Sequence, residues 1–176
     1  MLPGDKAKNN ILASIIRVNL AGEFGAKRIY QGQLDYTKDP ETIELIKHMK
    51  EQEEAHLKYF ENELVKRRIR PTILMPIWKI YGYLLGAITA RMGPKTAMAC
   101  TEAVEEVIND HYLDQLMKLD KNEKELKNKI EEFRQEELQH RGIAIKHDSL
   151  DAKGHNFLTA AIKTSCKIAI KLSKIF

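Results

Sequence analysis

The feature of this sequence that most restricts its fold is a pattern of acids and histidines that occurs twice. In each half, a single glutamate is followed at nearly the same separation by a Glu-x-x-His motif, and a tyrosine stands seven residues after the single glutamate. The residues of the pattern are Glu23, Tyr30, Glu53 and His56 in the first half, and Glu105, Tyr112, Glu137 and His140 in the second. A repeat of this length predicts a helical hairpin used twice, and two hairpins pack as a four-helix bundle. We therefore expect an all-α fold.

Apolar residues recur at intervals of three and four along most of the chain, which is the spacing of amphipathic helices. Six helical segments are predicted: residues 10–36, a segment after the stop-and-start sequence DPET at 39–42, residues 72–90, a segment that starts at GPK 93–95, one from about 122, and residues 156–176. Four of them would form the bundle, and 72–90 and 156–176 would be additional helices. Because 176 residues suit one domain with one core, we expect residues 1–176 to form a single domain.

The acids and imidazoles of the repeat lie on the apolar stripes of their predicted helices. In the second helix, for example, Glu53 and His56 share a stripe with Met49 and Phe60. Buried carboxylates are costly when unpaired, and four that face one another would repel or bind protons. Two divalent cations would balance four carboxylates, and neutral imidazoles would add ligands without adding charge. Mixed glutamate and histidine ligands suit iron or manganese. The sequence therefore predicts a two-metal site formed by Glu23, Glu53, His56, Glu105, Glu137 and His140.

Four neighbouring acids fall beside these stripes and are expected to be exposed to solvent. They are Glu54, Glu102, Glu106 and Glu136. For this reason we prefer Glu105 to Glu106 as a ligand, although a rotation of that helix would exchange the two. One Glu-x-x-His motif alone is weak evidence for metal, whereas two motifs and two further glutamates in repeated order are typical of a metal-binding bundle.

The formal net charge of +4 is modest, but the charges are unevenly distributed. Residues 64–101 and the residues after 151 contain no acid and several lysines or arginines. These stretches include segments 72–90 and 156–176, which we predict to be membrane-associated helices. A proline and a lysine inside the first favour surface contact or shallow insertion over a complete span. The alternatives are a buried connecting helix for 72–90 and a partner-docking helix for 156–176.

Several classes of protein are disfavoured by the composition. Cys100 and Cys166 are far apart and form no CxxC pair, so we expect neither a zinc knuckle nor a disulfide framework, and we expect a reduced, intracellular protein. The first ten residues carry no apolar run of the kind found in secretory signal peptides. Nucleic acid is not an expected partner, because the basic residues border apolar stripes and not aromatic stacking surfaces.

Five stretches of the chain resemble the demethoxyubiquinone hydroxylases, the membrane-associated di-iron monooxygenases of ubiquinone biosynthesis. The stretches are LAGEFGAKRIYQGQ, EQEEAHLKYF, RRIRPTILMPIWKIYGYLLGAITA, AMACTEAVEEVINDHY and FRQEELQH. The resemblance implies a ferritin-like fold in which two iron ions activate O₂ and a ring carbon of a polyprenylated demethoxyquinol is hydroxylated. It implies as metal ligands the same six residues that the stripes select, with Glu53 and Glu137 as the bridging pair.

The resemblance also implies a reductant, partners and a location. Electrons would come from NADH or another reductant and would reach the irons through the bound quinone. The partners would be the polyprenyl quinone and a membrane lipid surface, with an accessory lipid-binding protein and a homo-oligomer as further candidates. The protein would lie peripherally on the cytoplasmic face of the inner membrane in a bacterium, or on the matrix side of the inner membrane in a mitochondrion.

Two further residues are candidates for catalysis, and one position departs from the family pattern. His111 and Tyr112 lie within two turns of Glu105, where Tyr112 could bind a ligand residue or take part in electron transfer, or could be a satisfied core tyrosine. Family members usually carry Asp-His or Asn-His before AGE, whereas this chain has Asn19 and Leu20. Any supporting role of an acid there would fall to the Asn19 amide.

Two other functions use part of the same evidence. A ferritin-like ferroxidase or iron-storage bundle would have a similar ligand set, but the apolar 72–90 segment does not suit a cage-forming surface. A non-catalytic membrane adaptor would explain the basic, apolar segments, but it would leave six buried polar side chains without a partner.

Overall fold

The structure, a computed structural model, describes the backbone of residues 7–175 and the side chains from residue 11 onward. Within this range it is helical and has no strand, so the all-α prediction is confirmed. The helices are α1 (Ala7–Tyr36), α2 (Pro40–Lys66), α3 (Met75–Arg91), α4 (Pro94–Lys118), α5 (Lys124–Lys146) and α6 (His155–Ile175), with a short 3₁₀ turn at Ser149–Asp151. The third helix begins later than predicted because residues 72–74 form a turn. Phe176 and residues 1–6, which belong to the predicted segments and domain, lie outside the described residues.

The two punctuation sequences act as the start signals that were predicted. Asp39 precedes α2, and its Oδ2 accepts a hydrogen bond from the Thr42 backbone N–H at 2.8 Å, while Pro40 is the first helical residue. This satisfies one of the free N–H groups of the first turn. Gly93 precedes α4 with a φ of 122°, a conformation that side-chain-bearing residues rarely adopt, and Pro94 follows it. The chain can therefore reverse twice within few residues.

Two antiparallel hairpins, α1–α2 and α4–α5, form the bundle, and α3 and α6 cover one side of it. Helix α3 lies so close along α1 that a Cβ on Gly86 would meet the backbone carbonyl of Ile29. Helix α6 packs on α4 and α1. It is joined to α3 by a hydrogen bond from Trp78 Nε1 to Ser173 Oγ at 3.0 Å. The outer side of the first and fourth helices is therefore covered by protein.

The apolar core has three parts, of which one lies under α6 and the other two lie along the bundle. Of the latter two, one contains Ile16, Phe60, Leu126 and Ile130, and the other contains Ile46, Met49, Met98 and Ala144, all of them buried. In α2, Glu53 and His56 lie between Met49 of one part and Phe60 of the other. The polar centre of the bundle is thus bounded by apolar side chains at both ends.

Helices α3 and α6 expose large apolar side chains, which suits the predicted lipid contact but does not test it. On α3, Ile77, Ile80, Leu84 and Ile88 are each about half exposed or more, and on α6 Phe157 is 83% exposed. Among residues 7–175, none of the helices combines the length and the apolar character needed to cross a bilayer.

Candidate metal centre

All six predicted ligands converge in the interior of the bundle and are at most 1% exposed. They form two overlapping groups, in each of which one potential ligand atom per residue lies within 4.8 Å of the others. We call the first group the His56 position and the second the His140 position. The His56 position consists of Glu23, Glu53, His56 and Glu137, and the His140 position of Glu53, Glu105, Glu137 and His140. Glu53 and Glu137 belong to both, as a bridging pair would.

The two imidazoles turn the same nitrogen toward the carboxylates. His56 Nδ1 lies 3.3 Å from Glu23 Oε2 and 3.2 Å from Glu137 Oε1. His140 Nδ1 lies 3.3 Å from Glu53 Oε1 and 3.2 Å from Glu137 Oε2. In each Glu-x-x-His motif the two side chains stand one turn apart on one face of the helix, so both reach the same interior point. Glu105, and not Glu106, is the α4 residue that joins them.

Several buried polar atoms of the cluster have no hydrogen-bond partner among the described residues. They are both carboxylate oxygens of Glu53, both of Glu137, Glu105 Oε2 and His140 Nδ1. Some lie within ion-pair distance of one another, yet they lack the alignment of a hydrogen bond. Buried polar groups are normally satisfied, and this donor set is the one expected around divalent cations. The residues therefore fit two metal ions of the iron or manganese type.

The electrostatics of the metal-free cluster point the same way. Burial, followed by repulsion from the neighbouring carboxylates, raises the pKa of Glu53 and of Glu105 well above the usual range. Burial alone would lower the pKa of His56, but the adjacent carboxylates of Glu137 and Glu23 outweigh it and raise that pKa to about 11. Burial likewise opposes ionisation of Glu137, but the two imidazoles lower its pKa. Without metal, protons supply the positive charge that the carboxylates require.

Two tyrosines hold the carboxylates that are not shared. Tyr30 donates to Glu105 Oε1 at 2.6 Å, and Tyr112 donates to Glu23 Oε1. Each tyrosine therefore serves the glutamate of the other hairpin. Both hydroxyls are fully buried, and burial, followed by the nearby carboxylates, keeps their pKa values well above normal. Tyr112 has the ligand contact that was considered for it, while a catalytic role for it remains a prediction.

His111, the other catalytic candidate, has no described contact with the six residues. Burial, and then the positive charge of Lys174 on α6, lower its pKa to about 4. It is therefore a neutral imidazole at neutral pH, located between α4 and the end of α6.

Of the acids predicted to be exposed, Glu102 is buried, and Glu136 is partly exposed with its carboxylate against a ligand histidine. Glu102 is only 5% exposed, and its Oε2 accepts hydrogen bonds from Ser149 Oγ at 2.6 Å and His155 Nε2 at 2.9 Å. The prediction was wrong because α6 and the 3₁₀ turn cover the side of α4 that was assigned to solvent. Glu136 is 27% exposed, and its Oε2 lies 2.5 Å from His56 Nε2.

The remaining two acids are closer to the expectation. Glu54 is 44% exposed and pairs with Lys27 at 3.1 Å. Glu106 is 30% exposed and pairs with Lys163 of α6 at 2.6 Å.

The partners of the outer imidazole nitrogens were not among the predicted site residues. His140 Nε2 lies 2.9 Å from Gln52 Oε1, as His56 Nε2 lies close to Glu136. Gln52 and Glu136 each stand one residue before a Glu-x-x-His motif, so they occupy equivalent places in the repeat. Their equivalent places in the repeat were the sequence signal that could have identified them.

Within the described structure the Asn19 amide bonds Gln115 and has no hydrogen bond with the six ligand residues. The Asn19 and Gln115 side chains exchange two hydrogen bonds, at 2.9 and 2.5 Å, and both residues are buried. Asn19 is therefore satisfied by an amide of α4, and this pair ties α1 to α4.

An apolar groove runs between α1, α3, α4 and α6 beside the metal centre. Its lining includes Gly22, Ala26, Tyr81, Val104 and Cys166. Gly22 immediately precedes Glu23 along α1. The groove thus connects the surface formed by α3 and α6 with the helix that carries the first ligand.

A helical bundle that gathers four carboxylates and two imidazoles around one interior point belongs to the class of ferritin-like, carboxylate-rich two-metal proteins. The family described as "Ubiquinone biosynthesis protein COQ7" matches residues 10–173, and the chain belongs to that family.

Named relatives agree with this assignment. The chain is 44% identical to the 3-demethoxyubiquinol 3-hydroxylase of Rhodospirillum rubrum over 174 residues, which cover 98% of the chain and 82% of that protein. It is 45% identical over 172 residues to the mitochondrial NADPH-dependent 3-demethoxyubiquinone 3-hydroxylase of Dictyostelium discoideum, with 96% and 79% covered. It is 41% identical over 181 residues to the mitochondrial 5-demethoxyubiquinone hydroxylase of Saccharomyces cerevisiae, with 93% and 78% covered.

Proposed function

We propose that this chain is a monooxygenase of ubiquinone biosynthesis that hydroxylates the ring of demethoxyubiquinol, using two iron ions in the His56 and His140 positions. The observation that carries the proposal is the buried set of six ligands with orphaned oxygen and nitrogen atoms. The family and the names of its hydroxylases define the reaction and the quinone substrate. The donor set supports iron, and the hydroxylation would use O₂ and a reductant.

The protein's part in this chemistry is to hold the ligands before metal binds. Bound iron would supply the activation of O₂. Glu53 and Glu137 are assigned as the bridging carboxylates because both belong to the two positions. Tyr30 and Tyr112 orient the outer carboxylates, and the apolar parts of the core exclude water from the centre. Insertion of one oxygen atom leaves the other to be reduced to water, so two electrons are required, from NADH or another reductant. Tyr112 and His111 remain candidates for a catalytic role, and for Tyr112 this role would be in electron transfer.

The apolar groove is assigned to the substrate. A quinol head that enters past Tyr81 and Gly22 would approach Glu23 and the His56 position, while the polyprenyl tail would remain in contact with apolar side chains. Gly22 has open space around its α-carbon, so a larger residue there would occupy the groove. We expect Gly22→Leu to raise KM for the quinone without removing bound metal.

The exposed apolar faces of α3 and α6 are assigned to a membrane surface. Lys79 and Lys167 lie within these helices and would meet anionic headgroups while the isoleucines insert. The protein would then be peripheral, on the inner face of a bacterial inner membrane or on the matrix side in mitochondria. Sedimentation with anionic vesicles tests this, because Ile80→Glu should reduce binding and Ile145→Glu, on α5, should not. An accessory lipid-binding protein and a homo-oligomer are further candidate partners for the same faces.

The proposed reaction is tested with iron-loaded protein in liposomes that contain a short-tailed demethoxyquinone, NADH and ¹⁸O₂. Mass spectrometry should detect one labelled hydroxyl group on the ring. Glu137→Ala should abolish the product, whereas the control Glu132→Ala, an exposed acid on the same helix, should retain it. Far-UV circular dichroism would verify that both variants fold. Labelled product from Glu137→Ala would refute the proposal, and O₂ consumption without ring product would favour a ferroxidase.

A further inference from the structure

The histidines of the two metal positions have outer partners of different charge. Each imidazole turns Nδ1 toward the carboxylates and Nε2 away from them. The Nε2 of His56 meets the carboxylate of Glu136 at 2.5 Å, and the Nε2 of His140 meets the amide oxygen of Gln52 at 2.9 Å. If Nδ1 binds metal, Nε2 carries the proton, so both partners act as acceptors.

This difference stands out because the carboxylates and the tyrosines that support them follow the two-fold repeat. Each position has one shared pair of carboxylates, one unshared glutamate and one histidine. Tyr112 supports Glu23, and Tyr30 supports Glu105, so the unshared glutamates are held alike. The equivalent outer residues are the ones that differ, with an acid on one side and an amide on the other.

A carboxylate acceptor changes a metal-bound imidazole more than an amide does. A hydrogen bond from N–H to an ionised acceptor is shorter and roughly twice as strong as one to a neutral acceptor. It therefore gives the opposite nitrogen more electron density and makes it a better metal ligand. Glu136 also adds a negative charge beside the His56 position. The ring of Phe133 packs against the imidazole of His56, with the two ring centres 3.9 Å apart, and restricts its motion.

We propose that Glu136 is a positioning residue that makes the two metal positions unequal, so that the His56 position binds a divalent cation more tightly and fills first. This rests on the proposed function only in requiring that the six residues hold two metal ions. Gln52 leaves the His140 position with the weaker donor. Glu53 and Glu137 belong to both positions, so Glu105 and His140 are the ligands that only the His140 position uses.

Stepwise Mn²⁺ binding measures the inequality without any turnover. Electron paramagnetic resonance of free Mn²⁺ during a titration should give two bound ions per chain, the first with the lower Kd. Removal of a carboxylate that hydrogen-bonds a metal-bound imidazole typically costs 10–100-fold in metal affinity, so Glu136→Gln should raise the lower Kd by about that factor and bring the two values together. Gln52→Glu alone should tighten Mn²⁺ binding at the His140 position, which has the higher Kd. The protein that carries both substitutions should again show two unequal Kd values. Substitutions that only disturbed the structure would not restore this difference.

Single-position variants identify which site changes. Glu105→Gln weakens only the His140 position, and Glu23→Gln only the His56 position, while each amide can still accept from its tyrosine. Glu136→Gln should weaken binding in the Glu105→Gln protein and leave it unchanged in the Glu23→Gln protein. Equal effects in both, or no effect in either, would overturn this inference and leave the two-metal centre standing. A wild-type protein that binds no Mn²⁺ would overturn the metal centre as well.

Discussion

Removal of the metal ions should lower the Tm of this bundle far more than removal of an ion bound weakly at its surface would. The metal-free centre buries six polar atoms that lack hydrogen-bond partners within the described chain, among them both oxygens of Glu53. Metal that binds the native state and not the unfolded chain stabilises by mass action. The structure places the ligands of each position on both hairpins, so an unfolded chain offers no comparable site.

The size of the effect follows from the number of positions. At a free metal concentration 100 times Kd, one filled position contributes about 2.7 kcal/mol, and two contribute about 5 kcal/mol. For a chain of this length, each kcal/mol moves the Tm by roughly 2–4 °C. The loaded protein should therefore melt roughly 10–20 °C above the metal-free protein.

Thermal unfolding in a chelator and in excess Mn²⁺, followed by circular dichroism, measures this difference. Glu53→Gln should abolish it, because Glu53 belongs to both positions. The same substitution should leave the metal-free Tm equal to that of the wild type or higher, since it removes one of the mutually repelling carboxylates. The neighbouring control Glu54→Gln should keep the full metal-induced shift, because Glu54 is exposed. Equal Tm values with and without metal, or a shift that survives Glu53→Gln, would refute the reasoning.

Three further predictions concern the centre and the packing around it. In the metal-free protein, the raised pKa values of Glu53 and Glu105 give stability that is present below about pH 4.3 and is lost as pH rises through the folded-state values. The Tm in chelator should therefore fall as pH rises above about 5, whereas excess Mn²⁺ should reverse the slope because ligands must lose protons to bind. Tyr112→Phe should lower Mn²⁺ affinity about 10-fold at one position, measured by titration, and a loss of kcat with both metals bound would indicate an additional catalytic role. Gly86→Ala should cost about 1–3 kcal/mol in urea unfolding because its Cβ meets α1 backbone, whereas Gly142→Ala, with open space, should gain up to about 1 kcal/mol.

The ligands could be predicted from the sequence because burial of a carboxylate is visible in periodicity. A glutamate that falls on the apolar stripe of a helix has no inexpensive reason to be there, and Glu23 and Glu137 both do so. The helical spacing also places the glutamate and the histidine of each Glu-x-x-His motif on one face of the helix, where both can reach the same point. Both signals are local, so a single sequence contains them.

The burial of Glu102 could not be predicted in this way, because it depends on a helix from elsewhere in the chain. Helix α4 packs against α1 and α5 on one side and against α3 and α6 on the other. Its polar side is therefore internal, where Glu102 is satisfied by Ser149 and His155 and not by water. Periodicity states which residues share a face but not what covers that face.

The length of some side chains is the second reason why residues near the centre could not be predicted from the pattern. Glu136 and Gln52 lie off their stripes by one residue, yet each extends to the histidine of the opposite motif. A pattern analysis that assigns residues to faces by the Cα position places them outside the centre. Their equal offset from the two motifs shows that the repeat contained information about the surroundings of the ligands as well as about the ligands.

The crossed contacts explain why the repeat has to be complete for the centre to exist. The His56 position takes Glu23, Glu53 and His56 from the first hairpin but needs Glu137 from the second, and the His140 position has the reverse composition. The supporting tyrosines cross in the same way, because each binds the glutamate of the other hairpin. Neither hairpin can therefore form a position alone, and docking of the hairpins and assembly of the ligands are one event. Metal binding then acts on the interface between the hairpins, where each ion joins carboxylates that would otherwise repel.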